Sequence, residues 1–526
     1  MKREETLIPS TLEMWIGKKG PWHLFIIGLV TLAAQLLVLA RKDILILEWR
    51  PTDLAAIALN FYRNGFDFLH PQILWGGNGP GYVEMEFPLV PYSIALLYSV
   101  LGVHDWVAMI VPIVCGIGLT FVVYSHAKRL FGPAAGFFAA LFAATSPTWL
   151  DMSTGIWPDP PTIFCGAMGL YLLTRWIDND TRMNFVMAAF WISLAILLKL
   201  TSLYLGLPVL FLFWVKYRNR WWQSPKVWMF AAFVLVPPVL WYFHAYRLFL
   251  EYHNTFGIIG SGYMKFGTVS ILTDPSFHTH TLLRLVMYHL TALGFVSAVV
   301  ASVHKAVKAV EYLFPVWFGA VLIYLVIAAR GVTIGHYQYI LPVVPPGAVL
   351  AGIGMVILSR KLDSGKRFQT PSTRKLTGVL LLAILVVNAI SANQLYISRD
   401  TVFRALSLEK MKTGKAVAKL TAPGSLIIVV DADMDGVTPE HSMTPPDVFY
   451  FADRHGWYQS MGWLSTEKIE ELKTQGARYL VVSANHVDVF RSSYARLYNT
   501  FSGRYQILMD GGDGIIYDLW HPLGSG

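Results

Sequence analysis

PLVPYSIALLYSVLG, residues 88–102, is an apolar run entered through two prolines, and the topology of the chain turns on whether it crosses a membrane. A crossing helix needs about 20 apolar residues, and this run is shorter. Charge placement decides the case. If the N-terminus, with Lys2, Arg3, Lys18 and Lys19, is cytoplasmic and 88–102 does not cross, every basic cluster between spans falls on the inside. Counting 88–102 as a span would instead put Lys128 and Arg129 outside. The run is therefore read as an interfacial or re-entrant helix.

Outward from it, apolar runs centre on 22–40, 106–127, 134–150, 161–174, 184–198, 201–215, 227–246, 282–303, 311–329, 339–358 and 376–393, which predicts about eleven spans. The inner loops carry Lys128/Arg129, Arg175/Arg182, Lys216 to Lys226, Lys305/Lys308 and Arg360 to Lys375. The outer side then receives 41–105, 151–160, 247–281, 330–338 and everything after about residue 394. This predicts a multi-pass protein of the inner (cytoplasmic) cell membrane. The basic start KKGPW (18–22) is followed by no small-residue cleavage site, so the first run is expected to stay as a span.

Composition agrees. Of 526 residues 55% are hydrophobic and 14% charged, against about 25% charged in soluble domains. The 42 Lys and Arg exceed the 33 Asp and Glu, but they are dispersed between apolar runs instead of forming a basic face, which argues against nucleic acid as a partner. Cys115 and Cys165 lie inside apolar runs, which speaks against a disulfide framework.

The tail changes character. SLIIVVDAD (425–433), TEKIEELKTQGA (466–477), RYLVVSA (478–484), a helical stretch at 486–502, YQILMDGG (505–512) and GIIYDL (514–519) alternate apolar strands with amphipathic helices. That is the pattern of a small soluble α/β domain. Three regions follow: a membrane region 1–393, a connecting helix and linker 394–424, and an extracytoplasmic α/β domain 425–526.

Charged residues beside spans are costly and mark functional positions. Asp53, in RPTDLAAIALNFYRNGFDFLHPQ (50–72), opens a helical pattern and reads either as a cap or first-turn residue or as a functional carboxylate. Glu84 and Glu86 stand in GGNGPGYVEMEFPLVPY (76–92), on a segment that suits a cation or a carboxyl of raised pKa and equally a solvated loop. Asp159, in MSTGIWPDPPTIF (152–164), is either functional or a helix start beside proline. On the outer side Lys199, in LLKLTSLY, and Arg330, in AARGVTIGHYQY with His336, Tyr337 and Tyr339, break the positive-inside pattern. An anion such as phosphate at the outer surface accounts for them, with snorkelling the plainer reading of Lys199.

At these residues the chain resembles the GT-C superfamily of polyprenyl-phosphate-sugar-dependent glycosyltransferases, in the branch similar to protein O-mannosyltransferases and the lipid A aminoarabinose transferase. The resemblance runs over about 20–360. It rests on Asp53 in the first outer loop, EMEFPLVPY around Glu86, RLFG (129–132), Asp159 in WPDPPT, and HYQYILPVVPP (336–346). Where the family has an acidic pair, this chain has Thr52-Asp53, one carboxylate. The resemblance implies transfer of a sugar, with inversion, from a polyprenyl-phosphate donor to a glycan, lipid or protein acceptor at the outer face.

It also implies roles. Asp53 is the base; Glu86 and Asp159 orient sugar or acceptor. Arg330, Tyr337, Tyr339, Lys199 and Lys265 take the donor phosphate. Glu84 with His278 and His280, from DPSFHTHTLLR, is the set offered for a divalent metal, against solvated loop histidines as the alternative. No other cofactor is expected.

Two further signals are set aside. DADMDG (431–436) opens like a calcium loop, but Ser442 stands where the closing Glu is needed. The competing class is a transporter or flippase of lipid-linked precursors, which would also show broken helices and the Pro-Pro pairs at 160–161, 237–238 and 345–346. Its charges belong near span midpoints, whereas these carboxylates gather at outer ends.

Overall fold

The computed structural model describes residues 16, 22–41, 49–258, 266–302, 308–333, 336–364, 371–399, 401–431 and 446–523. Seven described helices are long and apolar enough to span a membrane: Trp22–Leu39, Asp105–Phe131, Leu200–Gln223, Pro225–Tyr252, Ala309–Ile327, Tyr337–Asp363 and Val379–Ile397. Pro275–His289 and Ala292–Ser302 meet at 105° and count as an eighth if taken as one broken span. The remaining runs of the expected eleven are helical but fall short. The 134–150 run is split at Ser146, which adopts an extended conformation (ψ 120°) because Pro147 follows it. Arg182–Leu198 has 17 residues, and Asp159–Asn179 is polar at both ends. Leu89–Leu101 has 13 residues, about 20 Å of rise against ~30 Å of hydrocarbon, too short to cross.

Two compact units form. One comprises Met1–Asp43, Val111–Leu240 and Lys265–Arg399; the other Ile44–Ile110, Trp241–Met264 and Asp400–Gly526.

The first unit is an all-helical bundle. Its centre is the Tyr337–Asp363 span, 94% buried over its apolar window, whereas Val379–Ile397 is 17% buried and faces outward. Small residues let helices meet closely, as membrane packing without a hydrophobic drive requires. A Cβ on Gly354 would sit 1.8 Å from Ser297 O, and one on Gly352 2.5 Å from Ala135 O. The PAAGFFAALFAAT helix, Pro133–Thr145, is buried along nearly its whole length.

The break in the bent pair lies at Thr291, whose φ of +65° is rare for a β-branched residue. Side chains take up the backbone groups it frees. Ser146 Oγ and Thr148 Oγ1 donate to the carbonyls of His289 and Tyr288, at 2.7 and 2.8 Å, and Leu293 N donates to Asn388 Oδ1 at 3.2 Å. Asn388 Nδ2 also holds Thr291 Oγ1, at 2.7 Å. A break buried within a helix bundle persists only when its polar groups are satisfied in this way.

The second unit contains the sheet, in the order β2-β1-β3-β5-β4: β1 Leu426–Asp431, β2 His455–Ser460, β3 Ala477–Ser483, β4 Tyr505–Gly511 and β5 Gly514–Pro522. β1 runs parallel to β2 and β3, and β5 antiparallel to β3 and β4. β2 and the helix Asp447–Ala452 are elements the sequence did not announce. The predicted helix 486–502 is two, Val487–Ser493 and Ala495–Arg504, interrupted at Tyr494 (φ −115°, ψ 32°). Edge strand β2 is covered by the loop that follows Trp49–Asn64: Gly77 N donates to Gly456 O at 2.8 Å and Gly456 N to Leu74 O at 3.1 Å. Glycine is required at 456, since a Cβ there would meet Ile427 O at 1.8 Å. Covering an edge in this way blocks stray strand pairing.

Candidate active site

Asp53 lies in the helix Trp49–Asn64, four residues past its described start, so it is not a cap. Pro51 is tolerated in the first turn, where its missing N–H costs no helical bond. Asp53 is 1% exposed. Trp75 Nε1 donates to its Oδ1 at 3.2 Å, while Oδ2 has no hydrogen-bond partner among the described residues. Burial pushes the carboxyl well above the usual range; Arg50 and the Trp75 hydrogen bond oppose this, and Asp447 adds to it.

Arg50 stands one turn before Asp53 and does not belong to it alone. Its guanidinium pairs with Glu86 and lies 4.4 Å from the centre of the Phe256 ring. Glu86 thus holds the arginine beside Asp53. Glu84 has no exposed surface; its carboxylate accepts from the Thr255 hydroxyl, and its backbone pairs with Asn254 O (3.0 Å) and Phe256 N (2.9 Å). The Asn64–Gln72 and Asn60–Gln72 hydrogen bonds, 2.5 and 2.8 Å, tie the end of the Asp53 helix to the loop that carries Trp75.

In the other unit, Asp159 is the first residue of Asp159–Asn179, followed by Pro160 and Pro161. Its carboxylate takes Lys199 Nζ at 2.6 Å, with the side chains 5% and 16% exposed. Lys199 therefore does not snorkel. It adopts an extended conformation (φ −159°, ψ 115°) between the helices Arg182–Leu198 and Leu200–Leu205, which turns its side chain toward Asp159.

The same ammonium lies 5.6 Å from the centre of the Tyr339 ring, and Tyr339 stacks on Tyr324 at 6.3 Å. Gly331, next to Arg330 on the short helix Ala329–Thr333, comes so close to Tyr339 that a Cβ would be 3.0 Å from its ring. Tyr337 rests against Arg284, whose guanidinium carbon is 5.1 Å from the ring centre and which donates to Val332 O. Lys199, Asp159, Tyr339 and the segment bearing Arg330 are thus assembled in one bundle, with Arg284 pinning the segment from behind.

Lys265 lies outside the described residues. His278 and His280 are exposed on Pro275–Arg284, and the His278 ring contacts Leu272 O at 2.7 Å. Among the described residues no group of three or more His, Cys, Asp or Glu is arranged to hold a metal ion.

Sequence reasoning missed Arg50, Trp75, Arg284 and Asp447. Arg50 was findable, three residues before Asp53 and so on the same helix face. Trp75 and Asp447 reach Asp53 and Thr52 through tertiary packing that no local pattern announces.

The segment 85–242 matches the family model of dolichyl-phosphate-mannose-protein mannosyltransferases. Two Bacillus subtilis (strain 168) proteins, both named as candidate mannosyltransferases, are similar over part of the chain. YycA is 28% identical over 136 residues, 26% of this chain and 20% of YycA. YkcB is 22% identical over 181 residues, 34% of this chain and 24% of YkcB. The chain thus matches about a fifth to a quarter of these relatives' length.

Among solved structures, ArnT of Cupriavidus metallidurans bound to undecaprenyl phosphate superposes with a TM-score of 0.64 at 15% identity, over 95% of this chain and 98% of ArnT. The oligosaccharyltransferase of Archaeoglobus fulgidus in its apo form gives 0.57 at 12% identity, over 93% of this chain and 73% of the other. The chain shares the fold of these two solved membrane proteins along nearly its whole length.

Proposed function

We propose that this protein is a membrane glycosyltransferase that moves a sugar from a polyprenyl-phosphate donor to an acceptor hydroxyl or amine at the extracytoplasmic face, with inversion at the anomeric carbon. The observation that carries the reading is Asp53: a buried carboxyl with one oxygen held by Trp75, the other without a hydrogen-bond partner among the described residues, and a raised proton affinity. A general base works best when its pKa lies near the working pH, and burial moves Asp53 that way. Asp53 takes the acceptor proton as the acceptor attacks the anomeric carbon. The bond to the lipid phosphate breaks, and the phosphate leaves with the bonding pair.

A departing phosphate needs cations and hydroxyl donors. Arg330, Lys199, Tyr337 and Tyr339 are assigned to it, with Lys265 as a further candidate, and Asp159 holds the Lys199 ammonium in place. ArnT, similar in fold along nearly the whole chain, is known with undecaprenyl phosphate bound, which supports a lipid phosphate donor here. Glu86 acts through Arg50. The positions of Lys and Arg between spans support a cytoplasmic N-terminus and an extracytoplasmic sheet domain, in the membrane, linker and α/β regions bounded at 393 and 424. A divalent ion at Glu84, His278 and His280 has no support in the geometry of the described residues.

Mass spectrometry of envelope glycoconjugates from cells with and without the protein tests the reading. Loss of one sugar modification when the protein is absent is expected; unchanged glycoconjugates together with altered distribution of a lipid-linked precursor across the membrane would favour a flippase.

A further inference from the structure

Thr52 and Asp447 are 395 residues apart in sequence and joined in space: Thr52 Oγ1 donates to Asp447 Oδ1 at 3.3 Å. Thr52 has no exposed surface and Asp447 is 3% exposed. Asp447 opens the helix Asp447–Ala452, which packs on Trp49–Asn64 within the same compact unit. Asp53, the neighbour of Thr52, is buried, and its Oδ2 has no hydrogen-bond partner among the described residues. Two carboxyls are therefore shut away from water around one threonine.

The charges that face them are divided. Asp53 faces Arg50 from its own helix, the Trp75 N–H from the following loop, and Asp447 from the sheet domain. Arg50 is shared with Glu86. Asp447 faces Lys410 of the helix Thr401–Leu420 and Asp431 at the end of β1. Lys410 is taken by Asp431 at 2.6 Å, and Asp431 also holds His486 at 2.5 Å. Among the described residues neither Asp53 nor Asp447 has a cation to itself, and the Asp447 charge acts on Asp53.

We propose that Asp447 is the second carboxyl of the Asp53 site, a positioning residue delivered by the C-terminal sheet domain whose charge sets when Asp53 is able to accept a proton. The proposal rests on the reading of Asp53 as the base. Burial raises both carboxyls, and the Asp447 charge adds to the rise at Asp53. The sheet domain thereby acts on the chemistry of the first outer loop as well as covering it.

The test uses the full-length protein in detergent and needs no donor or acceptor. A hydrophobic carbodiimide reacts with protonated buried carboxyls, and peptide mass spectrometry reads its adduct at Asp53 across a pH series. Asp447→Asn should move the pH of half-labelling at Asp53 down by about one unit, and Asp447→Glu, which keeps the charge, should leave it near the wild-type value. An unmoved midpoint in Asp447→Asn, or Asp447→Glu behaving like Asp447→Asn, overturns the proposal. If Asn at this position prevents folding, judged by size exclusion, Asp447→Ser is read in its place by the same criterion. A shift seen in Asp447→Asn together with a wild-type protein that transfers no sugar would count against the glycosyltransferase reading alone.

Discussion

Lys199 and Asp159 form a buried ion pair, with 2.6 Å between ammonium and carboxylate, where one helix ends and another begins. The pair fixes the ammonium beside the Tyr339 ring, and so gives a cation assigned to donor phosphate a defined place. Such a pair is costly to break from one side, because the remaining charge stays buried without compensation.

Removing one partner is therefore expected to cost about 3 kcal/mol or more of stability, and removing both much less. Thermal unfolding in detergent of Lys199→Met, Asp159→Leu and the double variant checks this. A double variant as unstable as the sum of the two singles would show that the pair carries no coupling.

Trp75→Phe removes the hydrogen bond that favours the ionised Asp53. The carboxyl then holds its proton to higher pH, and since a base must be ionised to act, the acid limb of the pH–rate profile moves up by about one unit. A limb that stays in place, or moves down, argues against Asp53 as the titrating base.

Arg330→Ala is expected to raise the KM for a polyprenyl-phosphate sugar by about tenfold, the worth of one charge-assisted hydrogen bond, and by more than loss of any single outer lysine. Donor kinetics equal to wild type would remove Arg330 from the phosphate site.

Asp431 links acidity to the sheet domain. Burial pushes its carboxyl up, but His486 and Lys410 more than offset this and bring it down to about 2. A carboxyl depressed in the folded state contributes stability that is present above its unfolded value and lost as pH falls through the folded one. The second unit should therefore lose ~2 kcal/mol between about pH 4 and pH 2, and that loss should be absent in Asp431→Asn. Denaturant unfolding followed by the Trp457 and Trp463 fluorescence reads it.

The fold was legible where physics is local. Apolar run length located most of the spans, and alternating strands and amphipathic helices located the sheet. Among the described residues fewer than eleven runs are single helices long and apolar enough to span, because run length does not register Pro147 or the polar ends of Asp159–Asn179. β2 was missed because HGWYQS pairs on the sheet edge through its backbone and lacks the apolar alternation of the other strands. At the candidate site, Asp53, Asp159, Lys199 and Arg330 stood out as charges beside spans, but what each one touches did not. Glu86 holds Arg50, Glu84 packs on Thr255, and Asp159 holds Lys199. Those partners come from segments far apart in the chain, where pattern carries no information.

The most direct measurement is sugar transfer by purified Asp53→Asn protein supplied with a polyprenyl-phosphate sugar and the acceptor identified from the envelope. The account predicts loss of transfer with folding and membrane insertion intact. Near-normal turnover by that variant would contradict it.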